Sequence, residues 1–440
     1  MNHHVVIKLH IGKGFWMYKI AEVSIDGFWQ DFTASTTFGG DVNIIIGKNG
    51  TGKTTFMNVL SAVLNVDPIA LEENEFKQVV IKLRKGKHTK TVKVKKELQE
   101  NFFSIHYNVS RNSYAFPLVF GEEVRYGSMA RRRALDLISG VQEALSEIVC
   151  VASLSVYRLR ASLDVDLKER KRILGPVDLH LESLMRGLTE YQLELSQASR
   201  NISVGLQKEV LTSLLYRREE KVRNVFASDF DEDRQRKDLI SVYKNLGILD
   251  SEVNKRINEH LGLVKEAVSL YRVDPPDWNS IDLEALDAAE RVHNVFNMSL
   301  KAEKKTKELY SHANSFLQLL SKFIVGKDFR IDSSGKLAIY RVNVLESGSD
   351  ARIPVERLSS GEKQLIILFV EALLQRQKPY VFLADEPELS LHIEWQRNII
   401  PAIRELNPNA QIIVATHSPE VAGKYKKDII NMGAILRVSA

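Results

Sequence analysis

Short apolar runs rich in β-branched residues dominate both ends of the chain, whereas the middle follows a helical period. Near the N-terminus, residues 5–10, 18–25 and 42–46 are runs of this kind and predict strands. Residues 79–83 and 89–95 alternate apolar and polar positions on either side of a short turn. This alternation predicts an antiparallel hairpin with one solvent-facing side.

The middle of the chain, from residue 140 to residue 322, is rich in Leu, Glu, Lys and Arg and poor in Gly. One apolar stripe recurs at alternating steps of three and four, and consists of Leu181, Leu184, Leu188, Tyr191, Leu195, Ala198 and Ile202. Two further amphipathic stretches, 239–271 and 283–320, flank a break at 274–277. Such stripes fit core-facing helix surfaces, and they also fit a short coiled-coil arm or a dimerising bundle.

Beyond residue 326 the pattern alternates between strands and helices. The predicted strands are 329–332, 337–344, 380–384 and 411–415, and the predicted helices are 362–376 and 391–406. Continuous apolar strands that alternate with helices are typical of a parallel sheet covered on both faces. Because glycine-rich and acidic motifs lie on both sides of the helical middle, we expect one α/β domain split by an insertion. The predicted divisions are 1–120, a helical insertion at 121–325, and 326–440.

Composition narrows the class of protein. Of the 440 residues, 44% are hydrophobic and 27% are charged, with a formal net charge of +5, as in ordinary soluble proteins. The single cysteine, Cys150, excludes an internal disulfide and a multi-cysteine metal site. Residues 1–6 lack a signal-peptide pattern, and the apolar run 365–374 is shorter than the roughly 20 residues that span a bilayer. We therefore expect a soluble, cytoplasmic protein with no membrane partner.

The strongest chemical signal is a glycine-rich turn between a predicted strand and a helical run. It consists of Gly47, Lys48, Asn49, Gly50, Thr51, Gly52, Lys53, Thr54 and Thr55. This spacing and context are those of a P-loop, whose backbone N–H groups and helix end bind phosphate. Lys53 is then expected to reach the β- and γ-phosphates, and the Thr54 hydroxyl to bind Mg²⁺.

An acidic pair, Asp385 and Glu386, ends the buried strand predicted at 380–384. Ligands of open α/β sheets bind at the carboxyl ends of the strands, so this pair is expected at the same edge as the P-loop. Asp385 is the predicted Mg²⁺ ligand. Glu386 is predicted to act on the attacking water, as a general base or by orientation.

Two further motifs are weaker alone. Ser359, Ser360 and Gly361 open an apolar helix, where serine most often only caps the end, although a capped helix end also binds phosphate. His417 ends the buried strand at 411–415, and a lone histidine there is more often structural. Together with the P-loop and the acidic pair, both become candidate γ-phosphate contacts.

In this order the four motifs resemble those of ATP-binding-cassette ATPases of the SMC/RecF/OLD type. Residues 47–54 match the Walker A motif, and 358–364 resemble the signature motif, with Ser360 in place of the first glycine of transporters. Residues 385–388, with Leu391 and His392, match the Walker B and D-loop style of the OLD-like branch, and 416–419 match its switch histidine. Gln142 is a weak Q-loop candidate, and a surface helix position is the favoured interpretation.

This resemblance implies an ATPase head with a mixed or parallel sheet covered by helices and an antiparallel β-subdomain. It implies ATP and Mg²⁺ as cofactors and a homo-oligomer, at least a dimer of heads with ATP between them. Each triphosphate would touch the Walker A motif of one chain and Ser359, Ser360 and Gly361 of the other. Lys53, Glu386 and His417 would be catalytic, and Thr54 and Asp385 would bind the metal.

The subtype is narrowed by what the chain lacks. Transporter cassettes are compact between Walker A and signature, whereas a long insertion separates these motifs here. SMC proteins have arms with sustained heptads, which this insertion lacks. OLD nucleases carry a further domain after the switch histidine, for which we expect no room here. Residues 27–29 and 41–46 resemble the ATPase subunit (AriA-like) of PARIS-type anti-phage systems, and Septu and retron ATPases are similar in plan. That resemblance implies a separate nuclease or toxin effector and a phage-encoded trigger protein.

The alternative is a RecF-like DNA-repair ATPase that binds DNA directly. It rests on basic residues in and after the predicted hairpin, namely Lys82, Arg84, Lys85, Lys87, Lys90, Lys93, Lys95, Lys96, Arg131, Arg132 and Arg133. Alternating lysines on a hairpin are also typical of a solvated face that protects a sheet edge.

Overall fold

The computed structural model describes residues 17–99, 102–118, 128–155, 176–213, 215, 230–245, 248–273, 280–342 and 352–438. The chain divides into two compact units, Met1–Thr189 with Ser315–Ala440, here called the head, and Glu190–Asn314, here called the helical unit. The strand predicted at 5–10 and the break predicted at 274–277 lie outside the described residues.

Fourteen strands are described, all in the head. They are β1 (Lys19–Phe28), β2 (Phe32–Thr37), β3 (Val42–Ile46), β4 (Gln78–Lys85), β5 (His88–Gln99), β6 (Phe102–Val109), β7 (Asn112–Pro117), β8 (Val151–Ser155), β9 (Lys327–Ile331), β10 (Leu337–Arg341), β11 (Val381–Asp385), β12 (Gln411–Ala415), β13 (Ile429–Asn431) and β14 (Leu436–Val438).

Eleven helices of α type are described. They are α1 (Lys53–Asn65), α2 (Pro68–Glu73), α3 (Ser128–Ser146), α4 (Pro176–Ser213), α5 (Glu232–Asn245), α6 (Ser251–Tyr271), α7 (Leu283–Phe323), α8 (Ser360–Leu374), α9 (Ile393–Leu406), α10 (Pro419–Ala422) and α11 (Met432–Ile435). None of the helices in the described ranges is long and apolar enough to span a membrane.

A five-stranded parallel sheet forms the centre of the head. Its strand order is β13-β3-β12-β11-β8, and β3, β11 and β12 are almost entirely buried, which explains their unbroken apolar runs. Asp385 pairs in register with Ala415, which pairs with Ile45. The strand ends that carry the glycine turn, the acidic pair and the histidine therefore lie at one edge.

The second sheet is antiparallel and has seven strands in the order β14-β2-β1-β4-β5-β6-β7. The predicted hairpin is confirmed as β4 and β5, which pair from Gln78 with Lys95 to Lys85 with His88. Its apolar face joins α1 in one hydrophobic cluster that also includes Phe28, Phe56 and Tyr107. These two sheets and their covering helices confirm the predicted α/β fold with an antiparallel subdomain.

Gln411 connects the two sheets. Its side chain is fully buried, accepts a hydrogen bond from the Ile20 N–H (2.7 Å), and donates to the carbonyls of Ile20 (2.7 Å) and Gly39 (2.6 Å). Since Ile20 is in β1 and Gln411 begins β12, this amide replaces the backbone partners that neither sheet supplies there. It fixes the β1–β2 edge relative to the parallel sheet.

The head includes more of the chain than the predicted divisions. Strand β8 pairs in parallel with β11, and Ile138, Val141 and Leu145 of α3 belong to the head cluster, although all lie within the range predicted as the insertion. A strand of five residues within a long region of helical sequence pattern carries too little periodic signal to be recognised. The compact helical unit is accordingly limited to Glu190–Asn314.

The apolar stripe predicted in the middle is confirmed as core-facing for its first five members. Leu181, Leu184, Leu188, Tyr191 and Leu195 are all buried along α4. The stretch predicted at 239–271 is two helices, because Asp250 accepts a hydrogen bond from the Val253 N–H (2.7 Å) and caps the start of α6. Within the helical unit, Leu239, Ile257 and Leu261 form a small core.

Replacing Gln411 by Ala is expected to destabilise the head by roughly 3 kcal/mol, because it leaves the buried N–H and carbonyl of Ile20 without these partners, whereas the Gly39 carbonyl keeps the Asn43 amide (3.0 Å). Urea denaturation of the purified variant checks this. Gln411→Ala with an unchanged midpoint would contradict the role of this amide as the link between the sheets.

Candidate functional site

The glycine-rich turn connects the end of β3 to the first turn of α1. Gly50 and Gly52 adopt positive φ values of 78° and 87°, a conformation that side chains other than glycine rarely take. A Cβ at Gly52 would also lie 2.9 Å from the rings of Phe28 and Trp29. Because Gly52 is the N-cap of α1, no capping side chain covers the N–H groups at this helix end. The turn therefore has the form of an anion cradle.

Lys53 is buried, with 4% of its surface exposed, at the edge of this cradle. Its Nζ donates to the carbonyls of Gly47 (3.0 Å) and Lys48 (3.4 Å) and lies 2.6 Å from His417 Nε2. An ammonium only donates, so Nε2 is the acceptor and the ring proton is on Nδ1 in this arrangement. Burial lowers the pKa of Lys53, while nearby Glu386, Asp385 and Glu388 act in the opposite direction.

Asp385 ends β11 and is 7% exposed. Burial raises the pKa of its carboxyl, against a hydrogen bond from the Thr54 side chain and the positive charge of Lys53, which favour the ionised form. Its Oδ1 atom is buried and has no hydrogen-bond partner in the described part of the chain. A hydroxyl beside a carboxylate with a free oxygen is a donor set that suits Mg²⁺, so these residues fit the metal.

Glu386 is the next residue after Asp385, and its φ of 49° lies in the left-handed region. Its N–H donates to the carbonyl of Ala415 (2.8 Å), so the strained residue is held against β12. The Glu386 carboxylate lies 3.5 Å from His417 Nε2. Lys53, His417 and Glu386 thus converge although their motifs are far apart along the chain.

These groups line an open cleft of about 670 Å³. Its lining is Trp29, Asn49, Gly50, Gly52, Lys53, Thr54, Thr55, Glu386 and His417. Gly47, Lys48 and Thr51 instead line an adjoining cavity of about 710 Å³, which His417 also borders. The structure therefore brings together the predicted P-loop, acidic and histidine residues.

The predicted signature residues are elsewhere on the head. Ser359 caps α8 and forms a capping box with Glu362, and both Ser359 and Ser360 are exposed. Gly361 is packed so tightly that a Cβ would lie 2.4 Å from the Ser390 carbonyl oxygen. None of the three lines either cavity beside the P-loop. One chain alone does not bring them to its own cleft.

Two functional candidates were missed by motif reasoning. Trp29 lines the cleft from the β1–β2 turn and is 37% exposed, and Glu388 hydrogen-bonds the His417 loop. The available sequence signals were a tryptophan two residues after Gly27 and a third acid after the Asp385-Glu386 pair. The Q-loop candidate Gln142 donates to the carbonyl of Asn65 (3.3 Å), at the opposite end of α1 and about 18 Å from the P-loop.

The basic cluster is divided by the hairpin. Lys96 turns inward and donates to the carbonyls of Leu71 (2.9 Å), Glu72 (2.8 Å) and Asn74 (3.0 Å), where it satisfies the end of α2. Lys90 lies over the Tyr18 ring, at 5.3 Å from its centroid. The outward row on the paired strands is Lys82, Arg84, Lys93 and Lys95, of which Lys82 pairs with Glu22. The Arg131 side chain lies outside the described residues.

The parallel sheet, the phosphate cradle and the acidic strand end define a P-loop nucleoside triphosphatase. The sequence family described as AAA ATPase domain (AAA_15) matches residues 18–422. The chain belongs to this family and carries its ATPase domain.

Curated relatives match parts of the chain. It is similar to the retron Ec83 probable ATPase of Escherichia coli, 26% identical over 36% of this chain and 35% of that protein. It is also similar to the retron Vc95 probable ATPase of Vibrio cholerae, 36% identical over 18% and 17%, and to the Septu protein PtuA of Bacillus thuringiensis, 32% identical over 18% and 23%. The matches thus cover about a third or less of each relative.

Solved structures with similarity include SMC head domains. One from Pyrococcus furiosus, with an extended coiled coil and bound to the C-terminal domain of ScpA, has a TM-score of 0.37 at 16% identity over 92% of both chains. Another from Pyrococcus yayanosii has a TM-score of 0.39 at 16% identity over 92% of this chain and 93% of that one. Since both scores are low, the fold assignment rests on the sheets described above.

Replacing Trp29 by Ala is expected to weaken ATP binding about tenfold, because an exposed indole at the cleft wall offers a stacking surface for the base. Trp29→Phe retains an aromatic face and is expected to bind nearly as wild type. Calorimetric titration of ATP measures both, and equal affinity of Trp29→Ala and wild type would contradict stacking.

Asp385→Asn is expected to raise the melting temperature of the nucleotide-free protein while removing Mg²⁺-dependent turnover. The carboxyl has a raised pKa, so its ionised form costs folding free energy above the unfolded-state pKa, and this cost is relieved as the pH falls and the carboxyl protonates. The amide removes the cost at neutral pH. Melting curves at pH 7.5 and pH 4.5 test this, since the difference between the variants should shrink at the lower pH.

Proposed function

We propose that this protein is an ATP-hydrolysing switch ATPase of a prokaryotic anti-phage defence complex, in which ATP turnover controls whether a separate nuclease or toxin effector is held or released. The observation that carries the ATPase part is the convergence of Lys53, His417 and Glu386 at one cleft, beside the free oxygen of Asp385. No other cluster of the described residues combines a phosphate cradle with buried acids.

Phosphate binding uses groups that already face the cleft. The backbone N–H groups of the glycine turn and the start of α1 bind the phosphate oxygens, and Lys53 neutralises their charge. In the structure Lys53 is held by two carbonyls and His417, so it exchanges these partners for the triphosphate when ATP enters. Burial favours this exchange, because an ammonium with a lowered pKa gains most from an anionic partner.

Thr54 and Asp385 would hold the metal at the strand edge, through the hydroxyl and the free Oδ1. Mg²⁺ held there would supply positive charge to neutralise the phosphate oxygens. Glu386 lies on the cleft side of this pair, where it orients a water molecule and accepts its proton. His417, within reach of both Lys53 and Glu386, is placed to contact the terminal phosphate.

Dimerisation is supported by the position of the signature residues. Ser359 and Ser360 are exposed at the N-terminus of α8 but do not line the cleft of their own chain. A second copy of the head can supply them to the triphosphate, as in the ATP-binding-cassette arrangement that the sequence resembles. A homo-dimer of heads that closes on ATP would then make the hydrolytic cycle a switch.

The defence role is supported by the similarity to the retron and Septu ATPases. We propose that the effector and a phage-encoded trigger are separate proteins that bind this ATPase in the cytoplasm. Co-expression with the product of the adjacent gene, followed by affinity purification with and without ATP, tests the complex. Nucleotide-dependent co-purification supports the proposal, and binding to duplex DNA that falls steeply with salt would instead support the repair ATPase.

Glu386→Gln is expected to bind ATP with unchanged affinity and to lower turnover about a hundredfold or more, because the amide cannot accept the proton of water. The same variant is expected to accumulate as a closed dimer with ATP, which size-exclusion chromatography with light scattering detects. Lys53→Ala is expected to lose ATP binding altogether.

Glu394→Gln is the matched control, since Glu394 is exposed at the start of α9 and does not line the cleft. It should keep wild-type turnover. Full ATPase activity in Glu386→Gln would show that another group activates the water.

A further inference from the structure

Glu388 lies two residues beyond Glu386, in the turn that leads from β11 to α9, and is 8% exposed. Its Oε1 atom accepts three hydrogen bonds from the loop that follows β12. The donors are the Thr416 hydroxyl, the His417 N–H (3.1 Å) and the Ser418 N–H (3.2 Å). One carboxylate oxygen thus takes a side chain and two consecutive backbone groups of the loop that carries His417.

This loop is anchored from several sides, and Glu388 is the contact that faces the acidic turn. Thr416 is fully buried and its N–H donates to the carbonyl of Ile45 (3.1 Å), which belongs to β3, the strand that leads into the P-loop. Ser418 donates to Gln396 of α9 (2.7 Å) and caps α10. Between these anchors lies His417, whose backbone N–H is held by Glu388.

We infer that Glu388 is a positioning residue that clamps the loop 416–418 and so holds the His417 ring between Lys53 and Glu386. The inference deepens the proposed ATPase function and rests on it for the effect on turnover. Glu388 acts through His417 and does not line the cleft. Its role is to fix the distance from His417 Nε2 to the Lys53 ammonium, at 2.6 Å, and to Glu386, at 3.5 Å.

Burial of the other carboxylate oxygen argues against a purely stabilising role. Glu388 Oε2 is buried and has no hydrogen-bond partner among the residues the structure describes. An orphaned buried oxygen costs folding free energy, so a neutral amide, which keeps one acceptor oxygen for the three donors, would serve stability at least as well. A carboxylate at this position is therefore better explained by a need to fix the geometry of the loop 416–418 than by a gain in folding stability.

The electrostatic position of Glu388 agrees with this. It is close enough to Lys53 to favour the protonated form of the lysine, together with Glu386 and Asp385. The clamp therefore orders His417 and at the same time keeps a third acid near the buried ammonium. A loop held only by backbone contacts would order His417 but would not place a third acid near Lys53.

The experiment compares Glu388→Ala, Glu388→Gln and the matched control Glu420→Gln in the full-length protein. Glu420 belongs to the same segment, but its carboxylate pairs with Arg397 at the surface. Hydrogen exchange of the peptide covering 412–421 reports the clamp without nucleotide. Calorimetric ATP titration and steady-state turnover separate binding from chemistry.

In Glu388→Ala, the His417 amide is expected to exchange about ten- to a hundredfold faster, because it loses its hydrogen bond to a carboxylate. The Ser418 amide should change less, since it also donates to the Thr416 hydroxyl (2.9 Å). ATP affinity should change less than about twofold, and turnover should fall about ten- to a hundredfold, as for other outer positioning contacts. Glu388→Gln retains an acceptor oxygen and is expected to restore most of the protection and turnover. Glu420→Gln should match wild type.

Unchanged exchange in Glu388→Ala would overturn the clamp, and so would equal loss of turnover in the Ala and Gln variants. If Glu388→Gln folds poorly, exchange and turnover in Glu388→Ala decide alone, with circular dichroism confirming that it is folded. Wild-type protein without ATP turnover would refute the proposed function, whereas the exchange result would still decide whether Glu388 holds the loop.

Discussion

The buried ammonium of Lys53 is the feature around which the site is arranged. Removing a positive charge from water is costly unless acceptors and opposite charges surround it. Here two P-loop carbonyls and His417 accept its protons, and three acids near it offset the burial that lowers its pKa. The acceptors and acids at the P-loop edge of the cleft are therefore grouped around one positive charge.

Sheet topology makes this possible. The strand order puts β12 between β3 and β11, so the P-loop, the histidine loop and the acidic turn leave three adjacent strands at the same edge. The antiparallel sheet adds the Trp29 wall, and Gln411 fixes that sheet against the start of β12. A change in the alignment of the two sheets would move the aromatic wall without altering the P-loop itself.

Much of this arrangement could be predicted from the sequence. Unbroken apolar runs that end in Asp385 or His417 predict strand ends at a ligand edge, and the glycine turn predicts the cradle, because both signals are local. Glu388 could not be placed in this way, since its three donors come from the loop after β12, 28 to 30 residues further along the chain. Strand β8 was not predicted because it is defined by its pairing with β11, and a segment of five residues carries no sequence signal of that pairing.

We propose that the P-loop and the acidic strand end bind a single magnesium-bound triphosphate, and the rest of the mechanism depends on this. Calorimetric titration of ATP into the wild-type protein, with Mg²⁺ and then with EDTA, tests it most directly. Saturable binding of one ATP per chain, weakened about tenfold or more when Mg²⁺ is removed, is the predicted result. Affinity that is identical with and without the metal, or no saturable binding, would contradict it.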